Sequence, residues 1–212
     1  MSDDAAAAGM RRQLAHRTEL LAGGAEPLGW KVGFNVPALQ DKLGIAGPVA
    51  GFLSTAGLIE DGGRFPTAGG SFVAEPEVAV EIGPDGRAIV ALLPAIEVAA
   101  TPDLDLGIEA IVAGNVFHRA VAFGPRVETG APGAARVLVN GEETEAVPAE
   151  RTGAALTAMV EAVAARLEEA GEELRPGECI ITGVIAPPPS VSAGDRVRLE
   201  FEALGAVEVD FD

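Results

Sequence analysis

Apolar positions along the chain recur with two periods. Residues 10–21 set Met10, Leu14, Leu20 and Leu21 among basic and polar residues, a spacing that predicts a short helix ended by Gly23-Gly24. Residues 3–9 ahead of it read as frayed. From Gly29 the period falls to two: Trp30, Val32 and Phe34 share one face of a predicted strand and Lys31 stands on the other. Residues 36–43 predict a short helix opening at Asn35 or Pro37, and a strand is expected near Phe52 within a glycine-rich connection. The strongest strand signal covers residues 72–82. Gly83-Pro84-Asp85-Gly86 is turn chemistry, residues 87–93 return as a hairpin, and a separate short strand is expected at 95–99 after Pro94. Residues 106–114 read as helical and 116–123 as extended, and Asn140-Gly141 after Arg136-Val137-Leu138-Val139 marks a second hairpin.

Residues 153–170 carry the best helical pattern, with Leu156, Met159, Val160, Val163 and Leu167 on one face and Gly171 placed to end it. Short strands follow at 179–182, 196–201 and 206–211. Many short strands with few helices predict a β-rich α+β fold, not an alternating βαβ one.

Composition narrows the partners. A net charge of −17 repels phosphate backbones, so nucleic acid is not expected. The apolar runs are short and broken by Gly and Pro, so no membrane span is expected. The acidic start, Met1-Ser2-Asp3-Asp4, reads against a secretory signal, and a single cysteine, Cys179, allows no internal disulfide; a cytoplasmic location is expected. Cys179, ahead of Ile180 and Ile181, reads as a small buried apolar residue.

The chemistry concentrates in four places. Glu75 and Glu77 share one face of their strand, about 7 Å apart, with Glu81 further along. Such a pair can converge on a hard cation, and it equally fits the wet face of a half-buried strand. Glu97 lies between Ile96 and Val98, where a carboxylate needs a partner, a metal or solvent. A third acid on a neighbouring strand would complete an oxygen set for Mg²⁺. Lys31, alone on its face, could orient a substrate carboxylate or move a proton, or form a structural ion pair. His118 is a catalytic candidate beside the blander reading of a hydrogen-bonded structural histidine, and His16 reads as exposed. One cysteine and two separated histidines give no zinc set, and no nucleophile elbow is present.

The ordered set Gly29-Trp30-Lys31-Val32-Gly33-Phe34, Leu43-Gly44-Ile45, Glu75-Pro76-Glu77-Val78-Ala79 and Pro94-Ala95-Ile96-Glu97-Val98 resembles the 2-keto-4-pentenoate hydratase and 4-oxalocrotonate decarboxylase family of the fumarylacetoacetate hydrolase superfamily. Gly177-Glu178-Cys179-Ile180-Ile181-Thr182-Gly183, Ala193-Gly194-Asp195-Arg196-Val197 and Leu204-Gly205-Ala206-Val207 extend the resemblance to the C-terminus. It implies an α+β fold with a mixed β-roll core and a few peripheral helices. In that frame residues 1–28 form a short N-terminal helical segment and residues 29–212 a single catalytic domain. It also implies a homo-oligomer and a divalent ion, Mg²⁺ or Mn²⁺, held by Glu75, Glu77 and Glu97, with Lys31 as the family lysine. The implied activity is hydration of a small 2-oxo or 2-hydroxydienoic acid. Decarboxylation or C–C hydrolysis on the same metal platform, or a non-catalytic partner subunit, are the alternatives. The chain departs from the hydratases in carrying Val116-Phe117-His118 after Asn115, and Val184 after Gly183, where that family commonly has serine.

Overall fold

The computed structural model describes residues 2–128 and 130–212. It opens with α1 (Ser2–Ala22), β1 (Pro27–Gly33), α2 (Pro37–Leu43), β2 (Val49–Ser54), β3 (Leu58–Ile59) and β4 (Gly63–Phe65). The central hairpin is β5 (Phe72–Ile82) and β6 (Ile89–Ala100), followed by α3 (Ile108–Ala113) and β7 (His118–Phe123). Then come β8 (Ala135–Val139), β9 (Glu142–Val147), α4 (Ala149–Thr152), α5 (Leu156–Ala170), β10 (Cys179–Val184), β11 (Ser190–Val191), β12 (Arg196–Phe201) and β13 (Gly205–Phe211).

An eight-stranded sheet runs β2-β1-β10-β5-β6-β7-β3, with β11 pairing β5 beside β10. A five-stranded sheet runs β4-β13-β12-β8-β9. In the large sheet the β1–β10 and β3–β7 pairs are parallel and the rest antiparallel, so the expected mixed β-rich α+β architecture is the one observed. The main core joins one face of this sheet (Trp30, Val32, Phe52, Val78, Val80, Ile96, Val98) to the small sheet (Val137, Leu199, Val207) and to α5 (Val160, Val163, Leu167). The opposite face holds a smaller apolar cluster of Leu53, Ala79, Leu93, Ala95, Val121 and Ile181.

Several local expectations need correcting. Residues 3–9 are helical and not frayed, because α1 docks along its length: Ala5, Ala6 and Met10 pack on the core, and Gln13 Nε2 donates to Ala50 O (3.1 Å) and Val112 O (2.8 Å). The Arg17 guanidinium lies over Trp30, 4.9 Å from the ring centroid, and Trp30 Nε1 donates to Glu178 Oε2 at 3.1 Å. Strand β1 ends at Gly33, and Phe34 turns off it with φ 56°.

Strand β6 passes through Pro94 without a break. Pro94 O accepts from Gly124 N, and Leu92 exchanges both backbone bonds with Val127. Backbone groups at these alternate positions therefore face away from β5, and the missing proline N–H leaves that ladder intact. Residues 115–117 are not extended: Asn115, Val116 and Phe117 have φ of 59°, 51° and 66°. The long helix begins at Leu156, since Ala155 is left-handed. No helix among the described residues is long and apolar enough to cross a membrane.

Candidate metal centre

Strand alternation turns Glu75 and Glu77 to the same face of β5, the one opposite Val78 and Val80. The antiparallel register of the hairpin sets Glu97 directly across from Glu75. Three carboxylate oxygens, one from each residue, lie within 4.8 Å of one another. Glu81 shares the face but lies apart from the cluster, paired with Arg126 (2.5 and 2.9 Å).

Lys31 comes from β1, three places from β6 in the strand order, yet its Nζ is 2.5 Å from Glu97 Oε1. In a flat sheet such strands would be about 14 Å apart, so the face must be concave for the two side chains to meet. Gly51, paired with Lys31 on β2, keeps the path open: a Cβ there would lie 2.7 Å from Lys31 Cγ and 2.9 Å from Asn115 Oδ1.

The left-handed run at 115–117 completes the wall. Asn115 pairs with the backbone of Phe52 through both side-chain atoms, Oδ1 accepting at 2.8 Å and Nδ2 donating at 2.9 Å. That double bond to β2 holds a conformation that a β-branched residue such as Val116 adopts only at a cost. It aims Val116 O at Lys31 Nζ (3.1 Å) and places His118 Nδ1 2.9 Å from Glu97 Oε1. All five residues singled out by sequence therefore meet in one cluster.

One participant was not foreseen. Gly183 N–H donates to Glu77 Oε2 at 2.6 Å, and with φ 99° it sits at the irregularity where β10 departs from the β5 register. A Cβ at Gly183 would collide with the side-chain amide of Asn35. The sequence signal was a glycine inside an apolar strand pattern, which marks a bulge or close approach without saying to what.

Burial and the hydrogen-bond inventory decide what the cluster can hold. Glu77 and Glu97 are 1% and 0% exposed. Each spends one oxygen on protein donors, and the other, Glu77 Oε1 and Glu97 Oε2, is buried without a hydrogen-bond partner. Unpartnered buried acceptors are costly, and here they belong to adjacent acids served by one lysine. Burial first, and then Glu97, push the Glu75 carboxyl up to about 7. Burial, Glu97 and Glu75 raise Glu77 well above the usual range. Burial would raise Glu97 too, but Lys31 and His118 outweigh it and hold this acid low. Burial opposes the Lys31 charge, and Glu97 with Glu75 more than restores it. A hard divalent cation fits this all-oxygen, partly open set, with Glu75 half-buried on the accessible side. The Cys179 thiol is pushed up to about 11 by burial and by Glu81, which suits a packing role.

The Glu75 shift has a measurable sign. Between about pH 4.5 and 7 the folded chain keeps a proton that the unfolded chain has lost, so stability falls as pH rises through that window. A divalent ion would offset both causes of the shift, supplying charge that the buried carboxylate lacks and cancelling the repulsion from Glu97. Melting curves should show the metal-free protein less stable at pH 8 than at pH 6, and a larger rise in Tm on adding Mn²⁺ at pH 8. An equal rise at both values would detach metal binding from these acids.

Solved structures share this architecture. Over 94% of this chain and 83% of the other, a 4-oxalocrotonate decarboxylase from Pseudomonas putida G7, complexed with magnesium and adipate, superposes at a TM-score of 0.82 with 24% identity. The same enzyme complexed with calcium and acetate gives 0.80. A fumarylpyruvate hydrolase from Pseudomonas aeruginosa, in complex with Mn²⁺ and pyruvate, matches at 0.63 with 18% identity, covering 88% of this chain and 89% of its own. Residues 45–211 match the fumarylacetoacetate (FAA) hydrolase C-terminal family, and they contain both strands of the carboxylate hairpin: the chain belongs to that family.

Proposed function

We propose that this protein is a Mg²⁺- or Mn²⁺-dependent hydratase acting on a small 2-oxo or 2-hydroxydienoic acid. The observation that carries the reading is a buried, unpartnered oxygen on each of Glu77 and Glu97, two acids that share with Glu75 a cluster of carboxylate oxygens within 4.8 Å. Crystallisation of structural neighbours with magnesium and adipate, and with Mn²⁺ and pyruvate, supports it. An ion held by Glu75, Glu77 and Glu97 would act as a Lewis acid on the oxygens of a 2-oxo acid.

The chain's own residues have separable tasks. Gly183 N–H holds Glu77 through Oε2 and leaves Oε1 without a donor. Lys31 keeps Glu97 ionised and carries the mobile proton on Nζ, the group to orient a substrate carboxylate or protonate carbon during ketonisation. His118 Nδ1 shares Glu97 Oε1 with Lys31 and sets the orientation of that acid. Ketonisation of a 2-hydroxydienoate gives a conjugated enone, to which water adds: hydroxyl at the carbon β to the carbonyl, a proton at the carbon between.

A second reading, decarboxylation or C–C hydrolysis on the same carboxylates, is favoured by one observation. Lys31 Nζ and His118 Nδ1 both point at Glu97 Oε1, so neither is set apart as a base for water. The products decide. With Mg²⁺ and 2-hydroxypenta-2,4-dienoate, the hydratase should consume the dienol absorbance and yield one 4-hydroxy-2-oxo acid by NMR. Release of CO₂ from 4-oxalocrotonate, with the dienoate untouched, would replace hydration by the second reading.

A further inference from the structure

On the β10 side the carboxylate cluster is bordered by apolar residues. Strand β10 pairs Ile181 with Ala79 and then, across its irregularity, Val184 with Glu77. Residues directly opposite in an antiparallel ladder share a face, so Val184 stands on the cluster's face beside Glu77. It is 39% exposed, one of the few large apolar side chains that are exposed among the described residues. Val36 is another, at 49%, and follows Asn35, whose amide lies against Gly183.

The cations nearby are already engaged. Lys31 is bound to Glu97 and to Val116 O. Arg119 turns its guanidinium onto the carbonyls of Phe117 and His118 (3.4 and 2.7 Å). Arg126, beyond the end of β7, is held by Glu81 on the far stretch of β5 and by Glu128. A divalent ion with Lys31 balances the three acids, and one substrate carboxylate can share those cations. A second carboxylate at the far end of the substrate would meet Val184 and lose hydration with nothing to replace it.

We infer that the site selects 2-oxo acids whose far end is uncharged and apolar, with Val184 the specificity-determining residue that receives this tail and disfavours a second carboxylate. The inference rests on the 2-oxo-acid reading above, and the test separates the two. Oxalate, which has no tail, is titrated first into Mn²⁺-loaded protein, followed by water-proton relaxation. 2-Oxopentanoate and 2-oxoglutarate, which differ in charge at the far end, are then competed against it. The wild type should bind 2-oxopentanoate about tenfold or more tightly than 2-oxoglutarate. Val184→Lys should move that ratio about tenfold toward 2-oxoglutarate, and Val184→Ala should weaken 2-oxopentanoate without helping the diacid. Equal or tighter binding of 2-oxoglutarate by the wild type, with oxalate bound, overturns the specificity alone. So does a Val184→Lys protein that changes its oligomeric state but keeps the ratio, which would make the valine part of an interface between copies. Failure of oxalate to bind takes down both readings.

Discussion

Glu77→Ala is expected to weaken Mn²⁺ binding by about a hundredfold or more and to leave the metal-free protein folded and close to wild-type stability. The two halves of that expectation have one physical origin. Glu77 is fully buried in a cluster with Glu75 and Glu97, with one oxygen tied to Gly183 N–H and the other without a donor. A carboxylate kept for stability would have both oxygens satisfied, and its removal would destabilise the fold. Burial and the two neighbouring acids press this one toward its neutral form, so its removal relieves that cost while leaving the Gly183 N–H unpaired, a loss of about 1–3 kcal/mol. The opposing effects nearly cancel in the metal-free protein and not at all in the loaded one. Relaxation or calorimetric titration with Mn²⁺ reads the first half and thermal melting the second. Unchanged affinity would remove Glu77 from the site. Lost affinity with a collapse in Tm would make it a structural acid whose effect on metal is indirect.

The hairpin that carries these acids was the most legible part of the chain. Phe72–Ile82 alternates cleanly enough that its face assignment, Glu75 and Glu77 together against Val78 and Val80, follows from period two alone. That Glu97 belongs with them needed the cross-strand register, which depends on where the hairpin turns. Pro94 obscured it by suggesting two strands, since a lone sequence does not show that its nitrogen faces away from β5. The turn at 115–117 was illegible for a different reason. Nothing in Asn115-Val116-Phe117 favours three successive left-handed residues, and the conformation is held by Asn115 bonding a strand 63 residues away. Gly183 was hidden likewise: its amide matters because a bulge turns it toward Glu77. The carboxylates were readable as residue types, while the backbone groups that aim them exist only in the tertiary fold.

Lys31→Met should be the most damaging single change for stability at this site, and it tests whether the lysine holds Glu97 charged. Met keeps much of the apolar stem and removes the ammonium, so Glu97 remains at zero exposure without its principal counter-charge and Val116 O loses its donor. Breaking a buried pair by removing one partner typically destabilises by about 3–5 kcal/mol. The sign with pH follows from the protonation change. In the wild type Glu97 is held low; in the variant, burial acts on it unopposed except by His118, so its folded-state pKa rises. Folded protein then retains a proton that the unfolded chain gives up near the ordinary carboxylate value, and the loss grows as pH rises above it. The melting deficit should therefore be larger at pH 8 than at pH 5, and Mn²⁺ should recover part of it by supplying positive charge to the same acid. Lys31→Met with Glu97→Gln should regain most of the stability, since the charge left unpaired is removed, while metal binding, kept in the single variant, is now lost with the Glu97 carboxylate. A deficit independent of pH, or a double variant no better than the single one, would assign Lys31 to packing and leave the charge on Glu97 to His118. Turnover adds an independent reading: the single variant keeps the acids that would hold the ion, so bound Mn²⁺ with abolished ketonisation would place the mobile proton on Lys31 Nζ.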